Sequence, residues 1–158
     1  MFELHIVLHQ PEIPQNTGCI ARTCAALGAD LHLIRPLGFS LENRYLKRAG
    51  MDYWPKVTHH IHDDMQAFLR THPGGRRLFF SKKAARSYDE ADYSGRIFLI
   101  FGSESSGVPE EILERNPGDC FRIPMREGIR SLNLANAVSV AAYEAARRSG
   151  FPGLLDRV

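Results

Sequence analysis

The stretch Phe121-Arg122-Ile123-Pro124-Met125-Arg126-Glu127-Gly128-Ile129-Arg130-Ser131-Leu132-Asn133-Leu134-Ala135-Asn136-Ala137-Val138-Ser139-Val140-Ala141-Ala142-Tyr143 runs an apolar strand end, a polar turn and a small-residue helix together. A strand over Cys120 to Pro124 should stop at Pro124, which offers no N–H to a ladder and biases its predecessor to extended geometry. The chain then turns through Arg126 to Arg130. From about Ser131 apolar residues recur at helical spacing, at Leu134, Val138, Ala141, Ala142 and Ala145, and Ser131 stands where a hydroxyl can accept a free N–H at a helix start. The helix N-terminus is thereby aimed at whatever the turn encloses. Taken alone, this order is also that of an ordinary capped strand-to-helix connection.

Two further segments follow an apolar run and open a helical one: Pro14-Gln15-Asn16-Thr17-Gly18-Cys19-Ile20-Ala21-Arg22-Thr23, and Ile97-Phe98-Leu99-Ile100-Phe101-Gly102-Ser103-Glu104-Ser105-Ser106-Gly107-Val108-Pro109. Gly102 to Gly107 sits where a strand gives way to a helix, the place at which α/β sheets bind ligands. No Lys-Ser or Lys-Thr follows Gly107, and the glycine spacing does not match the dinucleotide fingerprint. The carboxylate of Glu104 suits a backbone-lined slot for a neutral or cationic ligand better than a phosphate cradle. On these residues alone the loop reads equally as a tight turn or a binding site.

Asn16-x-Gly18-x-x-x-Arg22, Phe101-Gly102-x-Glu104-x-x-Gly107-x-Pro109 and Ile123-Pro124-Met125 with Arg130-Ser131-Leu132-Asn133-Leu134-Ala135-Asn136-Ala137-Val138 resemble, in order, the three motifs of the SPOUT RNA methyltransferases. The resemblance spans nearly the whole chain. With its short form and its Ile6-Val7-Leu8-x-x-Pro11-Glu12-Ile13-Pro14-x-Asn16-Thr17-Gly18 start, the chain is most similar to the branch that methylates the wobble-nucleotide ribose of bacterial tRNA. That branch usually shows Asn where Cys19 stands, which removes a side-chain hydrogen bond there but leaves the Asn16/Gly18/Arg22 frame intact.

Along the chain, strands are expected over Phe2 to His9, Leu31 to Arg35, Lys56 to His60, Leu78 to Ser81, Ile97 to Phe101 and Cys120 to Pro124. Helices are expected over Asn16 to Leu27, Glu42 to Ala49 with Gly50 as cap, Asp63 to Thr71, Pro109 to Arg115 and from Ser131 onward. Lys82 to Gly95 reads as a polar surface loop. This alternation predicts an α/β fold, a mostly parallel sheet with helices on both faces, in a single domain over residues 1–158. A C-terminal trefoil knot is implied only by the resemblance, since connections are normally unthreaded.

Hydrophobic residues make up 44 % of the chain, yet no apolar run approaches the roughly eighteen residues of a membrane span. There is no basic leader followed by an apolar stretch and a cleavage site, so a cytoplasmic protein that does not engage membranes is expected. Three cysteines without Cys-x-x-Cys make neither a disulfide framework nor a zinc site, and Cys19 and Cys24 read as small buried helix residues. Twenty Lys and Arg against eighteen Asp and Glu leave a net charge of +2, too small to argue for nucleic acid by itself. Local basic clusters carry that argument: Arg44, Lys47 and Arg48; Arg76 and Arg77; Lys82, Lys83 and Arg86; Arg126 and Arg130. His59, His60, His62, Asp63 and Asp64 invite a metal reading, but neighbours on a strand point to opposite faces and the spacing fits no common zinc pattern, so no metal is expected.

The resemblance implies a homodimer that takes S-adenosyl-L-methionine, releases S-adenosyl-L-homocysteine and methylates the 2′-hydroxyl of cytidine or uridine 34 in a tRNA anticodon stem-loop. Alternatives are another tRNA or rRNA position, or a non-catalytic RNA-binding module on the same fold. Cofactor-binding positions would be Ser81, Gly102, Glu104, Gly107, Ile123, Met125, Ser131, Leu132 and Asn136, with glycines admitting close main-chain approach to the ligand. Arg22 resembles the motif arginine at the target ribose, where a cation stabilises developing alkoxide charge. It stays protonated and so positions rather than abstracts. Asn16 would bond the loops or the nucleotide, and Glu104 would orient Arg22 or Ser131. Tyr143, seven residues after Asn136 on one helical face, falls near cofactor and dimer interface, as catalyst or as structure. RNA contacts are expected from Arg22, Arg44, Lys47, Arg48, Lys82, Lys83 and Arg130.

Overall fold

The run Glu3–His9 (β1) carries apolar residues on both sides of its pleat and is buried from Leu4 to His9, as a central parallel strand must be. In the computed structural model, which describes residues 1–48 and 52–154, it is followed by α1 (Pro14–Leu27), β2 (Asp30–Ile34), α2 (Asn43–Arg48), β3 (His59–His62), α3 (Met65–Thr71), β4 (Arg76–Phe80), β5 (Arg86–Ser87), β6 (Arg96–Phe101), α4 (Glu110–Arg115), β7 (Cys120–Arg122) and α5 (Leu134–Arg148). The strands form one sheet in the order β3-β2-β1-β6-β4-β7-β5, and the strand pairings among the described residues are parallel.

Alternation decides the layers. Leu4, Ile6, Leu8, Leu31, Leu33, Ile97 and Leu99 point to one face, where they meet Ile20, Ala21 and Cys24 of α1 and Val138, Ala141, Ala142 and Ala145 of α5. Val7, Ile34, Phe79, Phe98 and Ile100 point to the other, under Phe68 of α3 and Leu113 of α4. The alanines of α5 bring its backbone close to the sheet and to α1, where the hydroxyls of Thr23 and Ser139 lie 3.0 Å apart. Each fully buried Leu, Ile, Val or Phe stabilises the sandwich by about 1.5–3 kcal/mol. α1 ends as its sequence demands: Gly28 takes φ 67° and its N–H closes the last turn on Cys24 O. Burial pushes the Cys24 thiol up to about 12, which makes it a packing residue rather than a nucleophile, whereas Cys19, expected to be buried, lies on the exposed face of α1.

Several boundaries differ from the sequence reading. Pro55 sits in a short 3₁₀ turn, Trp54–Lys56, so β3 begins only at His59. The polar segment after β4 is not all loop. Arg86 and Ser87 pair with Phe121 and Arg122 to make β5, held by Arg86 Nη1 donating to Gly118 O at 2.8 Å and by its guanidinium 4.7 Å from the Phe121 ring centroid. Arg86 is therefore part of the sheet edge. α5 is capped by Asn133 rather than Ser131: Asn133 Oδ1 accepts the N–H of Asn136 at 3.2 Å, two residues later in the chain than expected. α2 matches the predicted basic helix to Arg48, and its expected end at Ala49 and Gly50 lies outside the described residues.

Candidate active site at the strand ends

The C-terminal ends of β4, β6 and β7 open into one cavity of about 550 Å³. It is large enough for a nucleoside-sized ligand. Three loops line it: Ser81 to Lys83 after β4, Gly102 to Val108 after β6, and Ile123 to Leu134 after β7. Ser81 N–H donates to Phe121 O at 2.9 Å, which fixes the first loop to the last strand. Phe80, Phe101, Ile123 and Leu132 supply apolar wall, and Lys82, Lys83 and Arg130 supply positive charge.

The loop after β6 is folded onto itself. Gly107 N–H donates to Ser103 O at 2.9 Å, and Gly107 holds φ +70°. A Cβ on Gly102 would lie 1.8 Å from Gly107 C and 2.0 Å from Val108 N. The expected close approach of main chain to ligand at Gly102 is thus an approach of the loop to its own backbone.

Glu104 reaches across to the first motif. Its Oε2 accepts Glu12 N–H at 2.8 Å, and its Oε1 accepts Ile13 N–H at 3.0 Å and Asn16 Nδ2 at 3.2 Å. The carboxylate thereby caps the start of α1, whose own N-cap residue Ile13 has no side-chain acceptor, and it sits favourably at the positive end of the helix. Asn16 Oδ1 then accepts Asn133 Nδ2 at 2.9 Å. One chain of hydrogen bonds, Glu104–Asn16–Asn133–α5, ties the three motifs together. Glu104 is expected to orient Arg22 or Ser131, but its partners among the described residues are Glu12, Ile13 and Asn16 instead. Beside it, donation from the Ser105 hydroxyl holds the Glu12 carboxyl below the usual carboxylate range.

Of the residues expected at the site, Asn16, Ser81, Lys82, Lys83, Gly102, Glu104, Gly107, Ile123, Met125, Arg130, Ser131 and Leu132 line the cavity. Lys82 Nζ donates to Arg130 O at 3.4 Å and Lys83 pairs with Glu110, so the cationic rim is partly anchored. Asn136 and Tyr143 do not line it: helical spacing puts them on the exposed face of α5, opposite Val138, Ala141 and Ala145. Arg22 also lies outside the cavity, exposed on α1 with its Cζ 5.0 Å from the Tyr53 ring centroid. Arg44, Lys47 and Arg48 sit exposed on α2, Arg44 paired with Glu42 at 3.2 Å. Asn133 was not among the expected site residues, although an Asn just before the first periodic apolar residue of α5 is a legible cap.

Comparison with known proteins agrees with this geometry. The pattern of the SpoU rRNA Methylase family matches residues 3–143. The tRNA (cytidine(34)-2'-O)-methyltransferase of Yersinia pestis is 46 % identical over 160 residues, covering 96 % of this chain and 98 % of that protein. A solved structure described as giving insights into 2-OH methylation of C/U34 on tRNA is 55 % identical, with a TM-score of 0.88 over 94 % of this chain and 97 % of that one. An AdoMet-bound rRNA methyltransferase from Sinorhizobium meliloti is 27 % identical, with a TM-score of 0.78 over 92 % of this chain and 56 % of that one. With the three motifs meeting at one cavity and the family pattern running through them, the chain belongs to the SpoU rRNA methylase family.

Proposed function

We propose that the chain is an S-adenosyl-L-methionine-dependent methyltransferase that modifies the ribose 2′-hydroxyl of cytidine or uridine 34 in the anticodon loop of tRNA. The observation that carries this reading is the Glu104–Asn16–Asn133 network, which locks the three motif loops around a cavity at the strand ends. Relatives of nearly the same length that are named for this reaction support it, and the AdoMet-bound neighbour supports the cofactor. The residues present fit that group: main chain at Gly102–Gly107 and Ile123–Met125 for an adenosine, and apolar Leu132 and Ile123 for its faces.

When bound, the cofactor supplies a methyl group on a positively charged sulfur. Held at Gly102–Gly107 and Ile123–Met125, it would present that methyl group to a ribose hydroxyl placed in line with the carbon–sulfur bond. The protein's part is to hold the hydroxyl in line and to stabilise the developing negative charge.

Arg22 is the cation proposed for that task, and its exposed position on α1 fits a site completed by a second copy. Val140 and Tyr143, 39 % and 46 % exposed on α5, lie beside Asn136 on the face left for a partner. The reading therefore includes a homodimer in which the outer faces of α1 and α5 pair and each cleft borrows residues from its partner. It also includes a single cytoplasmic domain and the C-terminal trefoil knot, which the strand order β6-β4-β7 fits. Lys82, Lys83 and Arg130 at the rim, with Arg44, Lys47 and Arg48 on α2, would bind phosphates, making affinity fall as salt rises.

The test is digestion and mass spectrometry of undermodified tRNA after incubation with enzyme and cofactor. A methyl group on the ribose of a wobble pyrimidine is expected, and Arg22→Ala should lower its rate by at least ~100-fold while keeping most cofactor affinity. Methylation of a base, or of a nucleotide outside the anticodon loop, would overturn the substrate assignment.

A further inference from the structure

Five of the chain's seven histidines gather on the α3 side of the sheet, on and around β1, β2 and β3. His5 is on β1, His32 on β2, His60 and His62 on β3, and His72 just after α3. None of them lines the cavity. The rings stack and edge against one another, with His32 at the centre, 4.7 Å from His60 and 4.8 Å from His72 between centroids. His32 is fully buried and His62 is 8 % exposed. His32 meets His5 Nδ1 through Nε2 and His62 Nε2 through Nδ1, each at 3.1 Å, so its two ring nitrogens are satisfied only by other histidines.

We propose that His32, His62 and His72 form a binding site for a Zn²⁺-class transition-metal ion, with solvent as the fourth ligand. Each offers one ring nitrogen, and the three nitrogens lie within 4.8 Å of one another. His32 Nδ1 and His62 Nε2 are 3.1 Å apart, close to the roughly 3.3 Å expected for two nitrogens on one tetrahedral ion at ~2.0–2.1 Å. The other nitrogens of two of the ligands are held as metal-bound histidines usually are. His72 Nδ1 faces the Thr71 hydroxyl at 2.9 Å and Phe68 O at 3.3 Å, partners that a proton on Nδ1 satisfies while Nε2 stays free to coordinate. His32 Nε2 faces His5 Nδ1 at 3.1 Å, so a proton on Nε2 leaves Nδ1 free to coordinate.

The competing triad, His5, Asp30 and His32, shares His32 but has Arg96 Nε 3.4 Å from His5 Nε2, a cation that opposes a second one there. An ion here would tie β2, the edge strand β3 and the end of α3 together. Its role is therefore structural, separate from methyl transfer.

The test uses chelator-stripped full-length protein, titrated with Zn²⁺ alone by calorimetry and with Co²⁺ alone by visible absorption. Uptake of about one ion per chain, Co²⁺ bands of a four-coordinate nitrogen site and a raised melting midpoint in Zn²⁺ are expected. His62→Asn and His72→Asn should each weaken Zn²⁺ binding at least ~10-fold. His59→Asn, on an exposed residue outside the triad, should not. His72 is only half-buried, so its variant keeps the test open if His62→Asn fails to fold. The proposal is overturned if the stripped protein takes up no Zn²⁺, if Co²⁺ shows only octahedral absorption, or if His72→Asn binds Zn²⁺ as tightly as the parent.

Discussion

The loops leaving β6 and β7 face the same cavity and are built in opposite ways. Gly102 to Gly107 is pinned by its own backbone, by the Ser103–Gly107 bridge and by Glu104 reaching α1. Arg126 to Leu132 is exposed throughout, with Ile129 58 % and Leu132 39 % accessible, and its internal backbone bond is Ile129 N–H to Arg126 O at 3.3 Å. Outside that bond it is fastened by Lys82 Nζ donating to Arg130 O and, at its end, by Asn133, where the motif network takes hold. The contrast teaches a division of labour. The first loop is preorganised and costs little to order on binding, whereas the second leaves apolar side chains exposed in the free protein, Leu132 among them on the cavity wall.

That contrast can be broken most severely at Gly102. Gly102→Val places side-chain atoms where Gly107 and Val108 backbone already lies, so stability should fall by about 3 kcal/mol or more as the loop is forced open. Chemical denaturation would register this together with loss of cofactor binding, and a variant of parental stability would show that the loop is not self-closed.

Asn133→Ala should act at the junction of the two loops. It removes the α5 cap and leaves Asn16 Oδ1 without its donor, a loss of about 1–2 kcal/mol in unfolding free energy. Cofactor affinity, measured by calorimetry, should weaken in parallel because all three motifs share the network. The smallest stability effect is expected at Leu132. Leu132→Ala should change unfolding by no more than about 0.5 kcal/mol while weakening cofactor binding about tenfold, through the apolar contact it would make only with ligand. Equal losses in both measurements would place Leu132 in the free protein's core and erase the distinction between the loops.

How far these features could be read in advance depended on whether their cause is local. Alternation in β1, the glycine that ends α1 and the Phe101-Gly102-x-Glu104 loop are local, and each is found where the sequence places it. The two-residue strand β5 is invisible to periodicity because a cation over Phe121 and a bond to Gly118, far along the chain, are what hold it. The partners of Glu104 were likewise unreadable, since Glu12, Ile13 and Asn16 lie about ninety residues away. Asn133 was readable as a helix cap and obscured by Ser131 two positions earlier. The histidine cluster was hidden for a related reason: adjacent His59 and His60 do point apart, yet His60 and His62 share a face, and the fold brings His32 and His72 to them from other elements.

The most direct measurement is hydrogen–deuterium exchange with and without S-adenosyl-L-homocysteine. Segment 102–108 should be protected already in the free protein and change little, whereas segment 123–132 should exchange rapidly when free and become strongly protected on binding. Protection that appears chiefly at 102–108, or in neither segment, would contradict the placement of the cofactor between a preformed loop and one that closes over it.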